Sequence, residues 1–142
     1  MNEKNTMTLI SRCSLALLFS SVAGVTLAAD NPLSVHVLNL ESGLPSSEVR
    51  VTLEHLEPNG WQHLNEAVTN QQGRITDLFP KGKDLQSGTY KVTFKTGDWF
   101  AQQQAQTFFP EVPVIFEVDG AVDHYHIPLL LSPYGYSTYR GN

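Results

Sequence analysis

The chain of 142 residues holds one cysteine, Cys13. Beyond that position no disulfide can form, and no thiolate is available as a nucleophile or metal ligand. Basic residues are also scarce, with nine Lys and Arg against fourteen Asp and Glu. No basic run is present to neutralise phosphates, which argues against nucleic acid as a partner. The Gly-x-Ser-x-Gly pattern of a nucleophile elbow is absent, so a serine hydrolase of that type has no local signature. Internal repeats and low-complexity tracts are missing as well. Charged residues make up 16% of the chain and hydrophobic ones 41%, a balance that suits a globular domain with a core rather than a disordered segment.

One long apolar stretch occurs, close to the amino end. After Lys4 and Arg12, Leu15-Ala16-Leu17-Leu18-Phe19 leads through Val22, Ala23, Val25 and Leu27 to Ala28-Ala29. A positive start, an apolar middle and small residues before Asp30 form the pattern of a cleaved secretory signal. Ser20, Ser21, Gly24 and Thr26 interrupt the run, and it is short for a membrane-spanning helix. The sequence therefore predicts a signal peptide over residues 1–29 and one domain over residues 30–142. Export to the periplasm, with no membrane attachment after cleavage, is the expected location. Loss of Lys4, Arg12 and Glu3 with the signal leaves seven basic and thirteen acidic residues, a net charge of −6.

From Leu33 onwards the chain reads as all-β. Leu33, Val35 and Val37 alternate with Ser34, His36 and Leu38. Val49, Val51 and Leu53 alternate with Arg50, Thr52 and Glu54, and Tyr90, Val92 and Phe94 with Lys91, Thr93 and Lys95. Turn chemistry falls at Glu41-Ser42-Gly43-Leu44-Pro45, Pro58-Asn59-Gly60 and Asn70-Gln71-Gln72-Gly73. Further strands are predicted over 61–69, 74–78, 114–118, 124–132 and 136–140. Gly97-Asp98 offers a helix N-cap, and the Ala- and Gln-rich segment 99–107 predicts about two helical turns. Short strands at close spacing with a single inserted helix predict a β-sandwich.

The closing stretch, 124–142, is too patterned for a frayed terminus. Tyr125, Ile127, Leu129 and Leu131 fall on one strand face, and His124, His126, Pro128, Leu130 and Ser132 on the other. The first set is a core set. The second mixes imidazole with Pro and Leu, which suits neither a core nor a solvated face. A second subunit laid against it would cover the apolar residues. His36 also points outward from an otherwise apolar strand, and Arg74 follows a glycine turn. By residue type alone, these are either surface side chains or a site. Two imidazoles and a guanidinium can support hydrolysis without a metal. Histidine accepts a proton from water near neutral pH, and arginine grips an anionic or carbonyl-rich substrate with planar, bidentate contacts. Zinc held by His36, His124 and His126 is the competing reading, although neither cysteine nor an evident carboxylate joins them.

Five blocks carry a resemblance: Leu33-Ser34-Val35-His36-Val37-Leu38-Asn39, Gly73-Arg74-Ile75, Phe94-Lys95-Thr96-Gly97-Asp98-Trp99-Phe100, Phe108-Phe109-Pro110-Glu111 and the tail HYHIPLLLSPYGYSTYRG. In these blocks, and in their order, residues 31–142 resemble the 5-hydroxyisourate hydrolases, the enzymatic relatives of transthyretin. The Tyr-Arg-Gly ending is the most specific block, because transthyretin lacks it. The resemblance implies a transthyretin-like two-sheet β-sandwich of eight strands with one short helix. It implies a homotetramer, a dimer of dimers, with active sites in the channel between dimers. The implied reaction opens the six-membered ring of 5-hydroxyisourate at an amide C–N bond. The product is 2-oxo-4-hydroxy-4-carboxy-5-ureidoimidazoline, in urate (purine) degradation, and no cofactor or metal is called for.

Carried over by motif, His36, Arg74 and His126 are the catalytic residues, and Tyr139, Arg140, Gly141 and Asn142 bind substrate. On this reading the two histidines position and deprotonate water, and Arg74 orients the substrate's oxygens. Tyr139 walls the channel, and Arg140 braces the tail or binds substrate. The alternative is a non-catalytic transthyretin-like binder of small ligands, which calls for an apolar channel rather than two imidazoles. This chain departs from the pattern at Asn142, where the family has serine. Asparagine keeps a donor and an acceptor but has no hydroxyl. Replacing Asn142→Ser is expected to leave kcat unchanged, and a large gain in turnover would show that the hydroxyl takes part in proton transfer.

Overall fold

The computed structural model describes residues 30–141. The segment 1–29, expected from the sequence to be a signal peptide, and the last residue, Asn142, lie outside the described residues. Among the described residues nine strand segments and one helix follow in the order β1 (Leu33–Asn39), β2 (Leu44–Pro45), β3 (Arg50–Glu57), β4 (Gly60–Val68), β5 (Arg74–Ile75), β6 (Gly88–Phe94), α1 (Thr96–Gln102), β7 (Val112–Val118), β8 (Tyr125–Ser132) and β9 (Gly135–Thr138). One sheet runs β2-β1-β8-β9, with β5 also pairing β1, and the other runs β4-β3-β6-β7.

Period-two alternation dictates this stacking. Leu33, Val35, Val37, Val51, Leu53, Tyr90, Val92, Phe94, Tyr125, Ile127, Leu129 and Leu131 are all buried in one cluster. Their burial bears out the inward faces read from the sequence. A fully buried side chain of this size stabilises the fold by roughly 1.5–3 kcal/mol. Only the space between two sheets can take so many at once. Within the first sheet β1 and β8 run parallel, from Leu33 opposite Tyr125 to Asn39 opposite Leu131. Ser34 thereby lies beside His126, and His36 beside Pro128, on the face turned away from the core.

Three local expectations change. The helix starts at Thr96 and ends at Gln102, earlier than 99–107, with Lys95 at the N-cap position and no side-chain cap. Asp98 lies in the first turn rather than capping it. Tertiary bonds start this helix instead. Thr96 Oγ1 donates to the Phe109 carbonyl at 2.7 Å, Gly97 N to the Pro110 carbonyl at 2.8 Å, and Trp99 Nε1 to the Ser47 carbonyl at 2.8 Å. The strand expected over 74–78 shrinks to Arg74–Ile75. Leu78 and Phe79 turn into the core instead, and the Asn31 side chain holds both main-chain groups of Phe79. A two-residue strand, Leu44–Pro45, appears within the segment read as a turn and pairs with Leu38 and Asn39.

The glycine before Arg74 sets how closely that turn can approach β1. Gly73 has φ +68°, and a Cβ there would lie 2.5 Å from the Val37 carbonyl oxygen. Its own carbonyl accepts from Val37 N at 2.8 Å. Gly73→Ala is therefore expected to lower the unfolding free energy by about 1–3 kcal/mol in urea titrations. An unchanged midpoint would mean that the turn relaxes freely.

Candidate active site

Three elements of one sheet carry the candidate residues. His36 is the fourth residue of β1, and antiparallel pairing with β5 places Arg74 directly opposite it. The turn before Arg74 is tied by Asn70, whose Oδ1 accepts from Gln72 N at 2.9 Å and Arg74 N at 3.0 Å. Asn70 N in turn donates to the Arg74 carbonyl at 2.9 Å. On the other side of β1, β8 contributes His126 beside Ser34. Opposite residues of paired strands share a face, so Arg74, His36, Ser34 and His126 all project from the outer surface of this sheet. His36 and His126 are half-buried there, and Arg74 is exposed.

Both rings release a proton more readily than an ordinary histidine with a pKa of 6.5. For His36 the first cause is burial, followed by the Arg74 guanidinium, with a main-chain hydrogen bond at Gln72 pulling the other way. For His126 burial again comes first, then Arg74, His124 and His36, opposed by a hydrogen bond at Ser34. The physical reason is common to both. An imidazolium here would lose hydration and sit beside a permanent positive charge. Both rings are therefore neutral at pH 7 and able to accept a proton. Arg74 remains the charged group that could hold an anionic or carbonyl oxygen.

Ser34 is buried at 8% exposure and stands between two rings. Its Oγ lies 2.8 Å from His124 Nε2 and 2.7 Å from His126 Nδ1, and His124 Nδ1 is 2.8 Å from the Asn31 carbonyl oxygen. Among the described residues no three His, Cys, Asp or Glu side chains are placed to hold a metal ion. The three histidines weighed as zinc ligands therefore do not form such a group.

The tail divides between two faces. Gly141 N donates to the His126 carbonyl at 3.0 Å, in the same register that pairs Leu129 with Thr138. On that register Tyr139 shares the face of Pro128, and Arg140 that of Ile127. Arg140 accordingly lies over the Tyr125 ring, 5.8 Å from its centre. It borders a cleft of about 320 Å³ on the core side, lined also by Val114, Phe116, Tyr125 and Ile127. It therefore lies on the side of the sheet away from His36 and His126. A Cβ on Gly141 would collide with the His126 ring, so the glycine lets the tail cross beside that ring. Of the expected residues, His36, Arg74, His126 and Gly141 come together. Ser34 and Asn70 were not foreseen, because one depends on a partner 92 positions away and the other reads as an ordinary turn residue.

The lowered histidines make stability depend on pH in a definite direction. Between their folded values and 6.5 the unfolded chain binds more protons than the folded one. Stability is thus full above about pH 6.5 and falls as pH drops through that window. Urea midpoints should decline on acidification there, and the decline should be shallower in His126→Gln. A slope unchanged by that substitution would count against the assigned environment.

Comparison with known proteins bears on the fold and the family. The HIUase/Transthyretin family matches residues 33–141. A 5-hydroxyisourate hydrolase of Salmonella dublin is 48% identical over 128 residues, covering 90% of this chain and 93% of that protein. The structure of Klebsiella pneumoniae 5-hydroxyisourate hydrolase superposes with a TM-score of 0.69 at 38% identity, covering 79% of this chain and 99% of that one. Transthyretin from Sparus aurata superposes with a TM-score of 0.72 at 28% identity, over 78% of this chain and 96% of its own. With the two-sheet sandwich, the paired histidines and the family match over nearly all the described residues, this chain belongs to the HIUase/Transthyretin family.

Proposed function

We propose that this chain hydrolyses 5-hydroxyisourate, opening its six-membered ring to 2-oxo-4-hydroxy-4-carboxy-5-ureidoimidazoline. The observation that carries the reading is the meeting of His36, Arg74 and His126 on one sheet face, with Gly141 of the Tyr-Arg-Gly ending beside His126. His126 is the general base, since Ser34 occupies its Nδ1 and leaves Nε2 for water. The water oxygen bonds to the amide carbonyl carbon and the C–N bond breaks. The proton taken from water passes to the departing nitrogen. Arg74 and His36 hold the carbonyl oxygen as negative charge develops on it. No group in this scheme requires a metal.

A homotetramer with active sites in the channel between dimers belongs to the same proposal. On one chain the site is an open sheet face, and large apolar side chains stand in water on β2 and past the end of β8. Leu44 is 63% exposed, and Tyr134 and Phe108 are each 73% exposed. A second copy would cover such groups and exclude water from the histidines.

One assay separates hydrolase from carrier. 5-Hydroxyisourate made from urate by urate oxidase should lose its ultraviolet absorbance faster with the protein than without. His126→Asn should lower kcat by about a hundredfold. Decay at the spontaneous rate would leave the carrier reading standing, and near-normal turnover in the variant would remove His126 as the base. Sedimentation equilibrium of the same sample should give four times the chain mass.

A further inference from the structure

We infer that Ser34 and His124 are positioning residues that set the tautomer of His126, through a line of hydrogen bonds ending on the Asn31 carbonyl. His126 would then carry its proton on Nδ1 and present Nε2 as a bare acceptor. The value of that acceptor as a general base rests on the hydrolase reading. The tautomer itself follows from the geometry alone.

Donors and acceptors can be assigned in order from the fixed end. A carbonyl oxygen only accepts, so the 2.8 Å contact with Asn31 requires a proton on His124 Nδ1. A neutral imidazole carries one proton, which makes His124 Nε2 an acceptor. Ser34 Oγ, at 2.8 Å, must donate to it. The serine has then spent its only hydrogen. The remaining 2.7 Å contact can be made only if His126 Nδ1–H donates to Ser34 Oγ. Each group is used once and none conflicts. The opposite tautomer of His126 would set two acceptors face to face across a buried hydroxyl and leave a hydrogen bond unmade.

The fixed end is itself anchored. Asn31 Nδ2 donates to the Phe79 carbonyl at 2.8 Å, and its Oδ1 accepts from Leu33 N and Phe79 N, each at 3.1 Å. The residue that starts the line is therefore tied to the first residue of β1 and to both main-chain groups of Phe79. This makes the line a rigid support rather than a chance contact.

A proton added to His126 occupies Nε2 and removes the acceptor. Among the described residues the charged and titratable groups facing His126 are Arg74 from β5, His36 from β1 and His124 ahead of β8, and all three disfavour its protonation. Arg140 of the tail is turned towards Tyr125.

Nitrogen-15 imidazole spectra of the intact protein read the tautomers without any substrate. The expected result above neutral pH is Nδ1–H for both His124 and His126. Ser34→Ala should release His126 towards Nε2–H, lower kcat by about tenfold or more with little change in KM, and shift the acid limb of the kcat–pH profile. Ser34→Thr, which keeps the hydroxyl, should restore all three. His124 lies at the surface, so His124→Ala tests the line without disturbing the core and should also release the tautomer. An Nε2–H form of His126 in the parent protein would overturn the inference. So would an unchanged His126 tautomer in both Ser34→Ala and His124→Ala. Nδ1–H on both rings together with no turnover of 5-hydroxyisourate would instead overturn the hydrolase reading while supporting the assigned line.

Discussion

The parallel ladder between β1 and β8 joins Leu33 to Tyr125 and Asn39 to Leu131. A parallel pair needs a long crossover, and here most of the domain is that crossover. The core depends on this ladder, since both strands bury every second residue against the opposite sheet. The outer face depends on it equally. A slip of one position would turn His36 and His126 into the core and expose Val35 and Ile127. The apolar faces therefore lock the register, and the locked register brings His126 beside Ser34.

The site stores a local electrostatic conflict. Two half-buried imidazoles share a sheet face with a guanidinium, and among the described residues none of them has a carboxylate partner there. An isolated sandwich gains nothing from such a cluster. The conflict resolves if the rings stay neutral and the arginine takes its counter-charge from a ligand. That is why the same residues look misplaced for folding and suited to holding a ligand. The turn bonds of Asn70 and the close approach of Gly73 hold Arg74 beside the rings.

The tail serves both surfaces because a strand alternates. Tyr139 and Gly141 follow the face of His126, while Arg140 reaches over Tyr125. Tyr125 is itself tethered, donating to Asp119 Oδ1 at 2.7 Å and accepting from Asp119 N and Gly120 N. Arg140 thus lies at the rim of the core, and the glycine that follows it leaves room for the His126 ring. A motif that reads as one unit in sequence is divided in space between the two faces of the sheet.

Much of this was legible in the residues themselves. Alternation of apolar side chains named the inward faces of β1, β3, β6 and β8. It also marked His36 and His126 as outward residues in strands otherwise suited to burial. Periodicity can do this because the side-chain direction of a strand residue depends only on its parity. Arg74 was placed by resemblance, since a turn residue carries no such parity. The start of the helix was misjudged, because Thr96, Gly97 and Trp99 bond to residues 13 to 52 positions away and not to a local cap. Ser34 was invisible for the same reason. A serine on an outward position means nothing until β8 is laid parallel beside it, and then it stands between two histidines. Sequence alone determined which face each strand buries, because that is a local property of the chain. Which outward residues touch was decided only by tertiary structure, because strand neighbours are chosen by the packing of the whole core.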